Sequence, residues 1–209
     1  GDSDATFSSY GDADTAGDVT ALIEELGGPA VIAGNSMGAA AAVLAAADRP
    51  ELVRGLVLIG PFVRDPRVSA LQRLLQRVAM APPWAALTWR SYLPRLYAGR
   101  RPVDFAAYRD QVTASLRRPG HARALSLTTR ASHREAEARL SAVLAPTLVV
   151  MGEQDPDFPD PVAEAAWIAD RLHAAVAMVP EAGHYPQSQR PELTSQAMLG
   201  FLTTLDEHA

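Results

Sequence analysis

The sequence of 209 residues contains neither cysteine nor lysine. Without cysteine, the protein has no disulfides, no thiolate nucleophile and no sulfur ligands for a metal. Since all 19 basic residues are arginines, mechanisms that need a lysine amine are excluded too, among them Schiff-base chemistry and the lysine of a nucleotide-binding P-loop. These two absences remove several classes of enzyme before any motif is considered.

The sequence also lacks long hydrophobic runs and an excess of basic charge. No apolar stretch reaches the roughly 18 residues that a membrane-spanning helix needs. Residues 1–6 have neither a basic region nor an apolar core, so we expect no signal peptide and a cytoplasmic protein. The formal net charge of -5 argues against nucleic acid or an anionic membrane surface as the main partner.

Four short apolar runs are typical of buried β-strands. Each run is nearly continuous in apolar character, which is the pattern of parallel strands covered by helices on both faces. The runs are Ala30 to Ala33, Leu56 to Ile59, Thr147 to Met151 and Ala175 to Val179. Helical patterns accompany them at Asp14 to Leu26 (closed by Gly27-Gly28), Met37 to Ala47, about Asp160 to Leu172 and about Pro191 to Leu205. The sequence therefore predicts an α/β fold with a doubly wound parallel sheet.

The segment between the second and third strands has a different composition. Strand patterns are absent, and prolines and glycines divide the segment into about four or five short helices. The predicted breaks are Pro82-Pro83, Pro94, Gly99, Pro102 and Pro119-Gly120. We expect residues 62–140 to form a helical cap between two parts of one core, residues 1–61 and residues 141–209.

The cap segment is also rich in arginine and in aromatic residues. Solvated helix surfaces explain the arginines. The aromatic residues, among them Trp84, Trp89 and Tyr92, either pack the cap helices together or line the walls of an acyl pocket. The sequence leaves both interpretations open.

The pentapeptide Gly34-Asn35-Ser36-Met37-Gly38 lies between the first apolar run and an alanine-rich helix. A strand, a tight turn with a serine at its tip and a following helix form a nucleophile elbow, in which the serine oxygen projects above the sheet. The flanking glycines are expected to relieve crowding in that turn. The pentapeptide alone is a weak motif, and the strand and helix around it make it specific.

A serine nucleophile needs a base within hydrogen-bond reach, and that base needs a carboxylate to orient it. In a doubly wound sheet such partners lie on loops at the carboxyl ends of later strands. Two loops meet this requirement. The loop after the third run contains Asp155 and Asp157, and the loop after the fourth contains His184.

In the order Ser, Asp, His and in the placement of each residue, the chain resembles the α/β-hydrolase fold family, in its serine-nucleophile branch with a helical cap. The resemblance covers essentially all of the sequence. It implies that Ser36 is the nucleophile, that His184 is the general base and then the acid, and that Asp155 orients His184. The backbone N–H of Met37 would be one donor of the oxyanion hole. The implied partner is a small-molecule acyl substrate, with no cofactor and no metal.

Two carboxylates of one loop are candidates for the acid of this set. The spacing of Gly152, Asp155 and Pro159 matches the family pattern, with Asp157 as the alternative acid. Asp160 is better explained as a helix N-cap. The remaining histidines lie in helical or terminal sequence and are expected at the surface: His121, His133, His173 and His208.

The chain departs from the family at its beginning. A complete member has about four strands before the elbow strand and a His-Gly type motif that supplies the second oxyanion donor, and the sequence contains no counterpart of either. Gly1-Asp2-Ser3 resembles the end of a loop that follows the fourth strand in the family. We therefore expect a truncated form of a protein of roughly 270 residues, with the elbow strand at an unprotected sheet edge.

The expected function is hydrolysis of a carboxylic ester, thioester or lactone through a serine ester. One alternative is hydrolysis of a carbon–carbon bond in ring-cleavage products, because Gly-Asn-Ser-Met-Gly also resembles the elbow of those hydrolases. A second alternative is a non-catalytic small-molecule receptor. A Rossmann site is disfavoured because Gly60-Pro61 follows the second strand, where an acid would be needed.

Overall fold

The computed structural model describes residues 4–66 and 68–207. Its sheet has four parallel strands in the spatial order β1-β2-β3-β4. The strands are β1 (Ala30–Asn35), β2 (Val53–Ile59), β3 (Thr147–Gly152) and β4 (Ala175–Val179). All four predicted strands are confirmed. The predictions for Gly1-Asp2-Ser3 and His208 lie outside the described residues.

The helices follow the predicted pattern. In chain order they are α1 (Asp12–Leu26), α2 (Met37–Asp48), α3 (Ala70–Ala79), α4 (Ala85–Leu96), α5 (Phe105–Leu116), α6 (His121–Thr128), α7 (Arg134–Arg139), α8 (Pro161–Leu172), α9 (Pro186–Gln189) and α10 (Pro191–Glu207). Gly27 ends α1 in the left-handed conformation, with φ of 83°, as a C-terminal glycine does. In the described part of the chain, no helix is both long and apolar enough to cross a bilayer.

Two apolar layers cover the sheet, one on each face. Successive residues of β2 alternate between them, so that Leu56 and Leu58 pack with α2 on one face while Val57 and Ile59 pack towards α10 on the other. Residues 39–46 of α2 are all buried. The alanines there allow this helix to press closely onto the sheet.

The two edge strands are less buried than the sequence indicated. β1 and β4 each have a single neighbouring strand, and several of their residues are exposed, including Ala33 and Val176. An edge strand loses cover because only one side of it is flanked by the sheet. The expectation of four fully buried strands is therefore wrong for β1 and β4, while the edge position expected for β1 is confirmed.

Helices α3 to α7 lie in the chain between β2 and β3 and are called the inserted helices below. Their number agrees with the sequence prediction, but Pro94 lies inside α4 and does not end it. Pro94 lacks the N–H that would donate to the Arg90 carbonyl, so α4 loses one hydrogen bond in its second half and still continues to Leu96. The division of the chain at residues 61 and 140 into cap and core stays a prediction.

Candidate active site

Ser36 connects β1 to α2 in a strained backbone conformation. Its φ is 59° and its ψ is −124°, a region that non-glycine residues adopt only where the surrounding structure requires it. The Ser36 N–H donates to the Ile59 carbonyl oxygen at 2.9 Å, which ties the turn to β2. The turn therefore has the backbone geometry of a nucleophile elbow.

Of the two flanking glycines, only the first is required by close packing. A Cβ on Gly34 would lie 2.3 Å from the carbonyl oxygen of Gly38, which is far inside van der Waals contact. A Cβ on Gly38 would meet no described atom within 4 Å, leaving aside the backbone of its own helix. The prediction that both glycines relieve crowding is correct for Gly34 and wrong for Gly38.

The Met37 N–H lies at the amino terminus of α2, where Met37 is the first helical residue. The first amides of a helix have no acceptor within the helix, and the helix dipole makes this end electropositive. The carbonyl of Ser36, by contrast, is engaged, since it accepts from Ala39 at 3.0 Å and from Phe62 at 3.2 Å. The Met37 amide is thus suited to stabilise an oxyanion next to Ser36.

His184 and Asp155 form a buried pair at the carboxyl ends of β4 and β3. The Nδ1 of His184 lies 2.8 Å from Oδ2 of Asp155, and both residues are about 2% exposed. Because a carboxylate accepts the hydrogen bond, the proton is assigned to Nδ1, which leaves Nε2 as the basic nitrogen. The His184 N–H donates to the Leu96 carbonyl of α4 at 2.8 Å, so an inserted helix also holds this loop.

Asp157 is a second carboxylate beside the same imidazole. Its Oδ2 lies 3.8 Å from His184 Nδ1, and its N–H donates to Asp155 Oδ1 at 3.0 Å. The hydroxyl of Tyr92, from α4, donates to Oδ1 of Asp157. Burial raises the pKa of the Asp157 carboxyl above its ordinary value, although the charge of His184 and the Tyr92 hydrogen bond act in the opposite direction. The geometry favours Asp155 as the partner of His184.

The pKa of the Tyr92 phenol is shifted as well. Burial, followed by the hydrogen bond to Asp157, raises the pKa of the Tyr92 phenol. The phenol therefore stays protonated and can donate to the carboxylate. The third acid, Asp160, caps α8, since its Oδ1 accepts from the Ala163 N–H at 2.9 Å. The N-cap prediction for Asp160 is confirmed.

Three residues to which the sequence analysis gave no role in the site join these groups. Phe62 donates from its backbone to Ser36 and stacks its ring on His184, with 5.2 Å between ring centroids. Asn35 donates from Nδ2 to the carbonyl of Ile59 at 2.8 Å, with the carbonyl of His184 at 3.4 Å. Gly60, which has φ of +48°, allows the pair to approach, because a Cβ there would lie 3.1 Å from His184 Nδ1.

An open cleft of about 390 Å³ borders the elbow at Asn35. Its lining combines aromatic and polar side chains: Tyr97, Phe105, Tyr108 and Tyr185, with Asp104, Gln187 and Ser188. The Oε1 atom of Gln187 is buried without a hydrogen-bond partner among the described residues. Trp89 and Tyr92 pack instead against a buried cluster around Leu93, while Trp84 is 46% exposed.

One histidine contradicts the surface prediction. His133 is 8% exposed, and its Nδ1 lies 2.7 Å from Oδ2 of the buried Asp12. A neighbouring carboxylate satisfies the ring nitrogen and so makes its burial tolerable. His173 is exposed, and His121 is half-buried. The sequence offered no signal for this pair, because Asp12 and His133 are 121 positions apart.

Among the described residues, Asp155, Asp157 and His184 form a group whose ligand atoms lie within 4.8 Å of one another. Such atoms could approach one metal ion. However, Asp155 Oδ1 already accepts from Asp157, Asp155 Oδ2 faces His184, and Asp157 Oδ1 accepts from Tyr92. These contacts suit a hydrogen-bonded acid–histidine pair better than a metal site.

Residues 1–197 match the model of a family described as the alpha/beta hydrolase family. A 2-(acetamidomethylene)succinate hydrolase of Mesorhizobium japonicum is 29% identical over 220 residues, which cover 96% of this chain and 74% of that protein. The structure of a thermophilic esterase of Thermogutta terrifontis is similar, with a TM-score of 0.74 at 25% identity. The match covers 98% of this chain and 76% of the esterase chain. A bromoperoxidase of Bacillus anthracis shares the fold, with a TM-score of 0.80 at 15% identity. The match covers 97% of this chain and 78% of the bromoperoxidase chain.

Proposed function

The chain belongs to the alpha/beta hydrolase family, and on that basis we propose that it is a serine hydrolase which cleaves a carboxylic ester, thioester or lactone. The observation that carries the proposal is the strained turn at Ser36, with φ of 59°, in the same site as the His184–Asp155 pair. A serine in such a turn, with a buried and oriented imidazole nearby, is the arrangement of nucleophilic acyl transfer.

The first half of the reaction forms an acyl-enzyme. Ser36 Oγ attacks the carbonyl carbon of the substrate, and its proton passes to Nε2 of His184. Asp155 stabilises the resulting imidazolium through the hydrogen bond to Nδ1. The carbonyl oxygen becomes an oxyanion that accepts from the Met37 N–H. When the intermediate collapses, the bond to the leaving group breaks and His184 gives its proton to the departing oxygen or sulfur.

The second half releases the acid. Water loses a proton to Nε2 of His184 as its oxygen attacks the Ser36 ester. The new tetrahedral intermediate expels Ser36 Oγ, which takes the proton back from His184. The aromatic cleft beside Asn35 supports an acyl or alcohol group of mixed polarity, since its apolar walls carry a few polar side chains.

A fluorophosphonate, which phosphonylates activated serines, tests the proposal. We expect labelling of the protein and its loss in Ser36→Ala. Ser141→Ala, at an exposed serine far along the chain, should label like the unaltered protein. Absence of labelling in correctly folded protein would contradict the proposal and favour a non-catalytic small-molecule receptor.

A second candidate is hydrolysis of a carbon–carbon bond in a ring-cleavage product. The elbow sequence Gly-Asn-Ser-Met-Gly supports it, because it resembles the elbow of those hydrolases. Turnover of short p-nitrophenyl esters against turnover of vinylogous diketo acids separates the two reactions. We expect the esters to be the better substrates by kcat/KM, and a clear preference for the diketo acids would support the second candidate.

A further inference from the structure

Helix α3 presents an uncovered apolar face. Four large apolar side chains on it are each more than half exposed: Leu71, Leu74, Leu75 and Val78. At about 100° per residue they fall within one arc of the helix, while Arg73 and Arg77 fall outside that arc. The helix is therefore strongly amphipathic, but its apolar side does not face the core as an amphipathic helix usually does.

The start of α3 is well defined by its sequence. Ser69 Oγ accepts from the Gln72 N–H at 3.2 Å, and Gln72 Oε1 accepts from the Ser69 N–H at 2.8 Å. This reciprocal pair is a capping box, which stabilises a helix without tertiary contacts. The exposed leucines thus belong to a helix with a local reason to form.

The exposed apolar surface continues beyond α3. Trp84 is 46% exposed and donates from Nε1 to the Val78 carbonyl at 2.6 Å, so its ring is held at the end of the helix. Leu87, which is 63% exposed, borders with Trp84 a shallow groove that Arg117 and Arg118 also line. We call the six side chains the α3 surface: Leu71, Leu74, Leu75, Val78, Trp84 and Leu87. Contiguous exposed apolar side chains of this kind mark interaction sites.

The charge of the segment that carries the α3 surface differs sharply from the charge of the whole chain. Residues 62–140 contain 15 arginines and 5 acidic residues, a formal charge of +10, so the rest of the chain carries −15. The net charge of -5 is an average over these two parts. Arginines beside the α3 surface include Arg73 and Arg77 on α3 and Arg117 and Arg118 in the groove. A partner there interacts mainly with these nearby charges, because salt screens charges beyond about 8 Å.

We propose that the α3 surface binds the face of an anionic phospholipid bilayer. Leucines in a short amphipathic helix insert into the interface, a tryptophan suits the headgroup level, and surrounding arginines attract anionic lipids. A second copy of the chain is the less favourable occupant, because self-association would bring together the arginines that lie beside the two surfaces. The sequence-based expectation of no membrane partner was drawn from the whole-chain charge, and the proposal departs from it on the basis of the arginines beside the α3 surface.

Flotation with lipid vesicles tests the proposal without any substrate, so its outcome is independent of the hydrolase activity. We expect the protein to float with vesicles of phosphatidylcholine and phosphatidylglycerol in low salt and to dissociate as salt is added. Binding to vesicles of phosphatidylcholine alone should be weaker. Arg73→Gln/Arg77→Gln should weaken binding to the anionic vesicles by up to roughly fivefold per arginine.

Two double variants of matched exposure identify the surface. Leu71→Gln/Leu74→Gln removes side chains that are 65% and 57% exposed, and we expect it to reduce vesicle binding by about tenfold or more. Leu22→Gln/Leu199→Gln changes leucines that are 58% and 63% exposed in α1 and α10, and it should bind as the unaltered protein does. Equal binding of the two double variants, or no binding to anionic vesicles, would overturn the proposal. Dimerisation that Leu71→Gln/Leu74→Gln abolishes would assign the face to a second copy.

Discussion

At the scale of single residues, two carboxylates face one nitrogen of His184. Asp155 lies 2.8 Å from Nδ1 and Asp157 lies 3.8 Å from it, and only the shorter distance is that of a hydrogen bond. We expect Asp155→Asn to lower kcat by roughly 10³–10⁴-fold, because the amide would hold the imidazole in the wrong tautomer. Asp157→Asn should have a much smaller effect, and steady-state kinetics on a p-nitrophenyl ester measures both.

The same pair of variants can contradict the assignment. If Asp157→Asn proved the more damaging change, Asp157 would be the orienting acid. Tyr92→Phe serves as the control, since it removes the phenol that donates to Asp157 without touching Asp155.

Asp157 also makes the stability of the protein depend on pH. Its pKa in the folded state is raised, chiefly by burial, from an ordinary value of 3.8. The folded state then binds the proton more tightly than the unfolded state, so the stability that this group contributes is present below pH 3.8 and is lost as pH rises through the raised pKa.

We expect Asp157→Asn to remove that loss, because an amide does not titrate. The free energy of unfolding in urea, measured from acid to neutral pH for both proteins, should fall less steeply with pH in the variant. Tyr92→Phe should enlarge the loss, since the Tyr92 hydrogen bond lowers the pKa of Asp157. Parallel pH profiles for the unaltered protein and Asp157→Asn would show that Asp157 does not contribute.

At the scale of elements, the elbow depends on how closely β1 approaches the first turn of α2. A Cβ on Gly34 would lie 2.3 Å from a backbone oxygen, and backbone atoms cannot move aside as a flexible side chain can. We expect Gly34→Ala to lower the free energy of unfolding by about 1–3 kcal/mol or more and to abolish fluorophosphonate labelling. Gly38→Ala is the matched control and should keep both properties, because a Cβ there meets no described atom outside its own helix.

The Asp12–His133 pair links α1 to the start of α7. Asp12→Ala would leave the buried His133 ring nitrogen without its partner, which costs about 1–3 kcal/mol. Urea denaturation should record this loss, while Asp18→Ala, at an exposed acid of the same helix, should leave stability nearly unchanged. Equal stability of the two variants would mean that another group satisfies His133.

Also at this scale, the contacts that the inserted helices make with the site are the part of it that could not be predicted from the sequence. The strands, α2 and the order of Ser36, Asp155 and His184 follow from local patterns and spacing, which the sequence carries directly. The contact of Tyr92 with Asp157 joins positions 65 residues apart, and the Leu96 carbonyl that holds His184 comes from the same helix. Such contacts depend on the packing of short helices, for which a single sequence provides no register.

At the scale of the whole molecule, the spatial order of the strands is known only from the fold, whereas the charge distribution can be counted along the sequence. The apolar runs of β1 and β4 resemble those of β2 and β3, yet the spatial order places β1 and β4 at the edges. The charges of the basic inserted segment and of the acidic remainder partly cancel, which leaves the net charge of -5. Averages over the chain therefore concealed the features on which the proposed membrane surface depends.

The central claim is that substrate becomes covalently attached to Ser36, and trapping the acyl-enzyme tests it most directly. Protein mixed with p-nitrophenyl acetate and quenched in acid is digested with trypsin, which does not cleave the Arg49-Pro50 bond and therefore first cleaves after Arg54. We expect one acetyl group on the peptide that contains Ser36 and ends at Arg54, located to Ser36 by fragmentation and absent in Ser36→Ala. Ester turnover that persists in Ser36→Ala, or an acetyl group on another residue, would contradict the account.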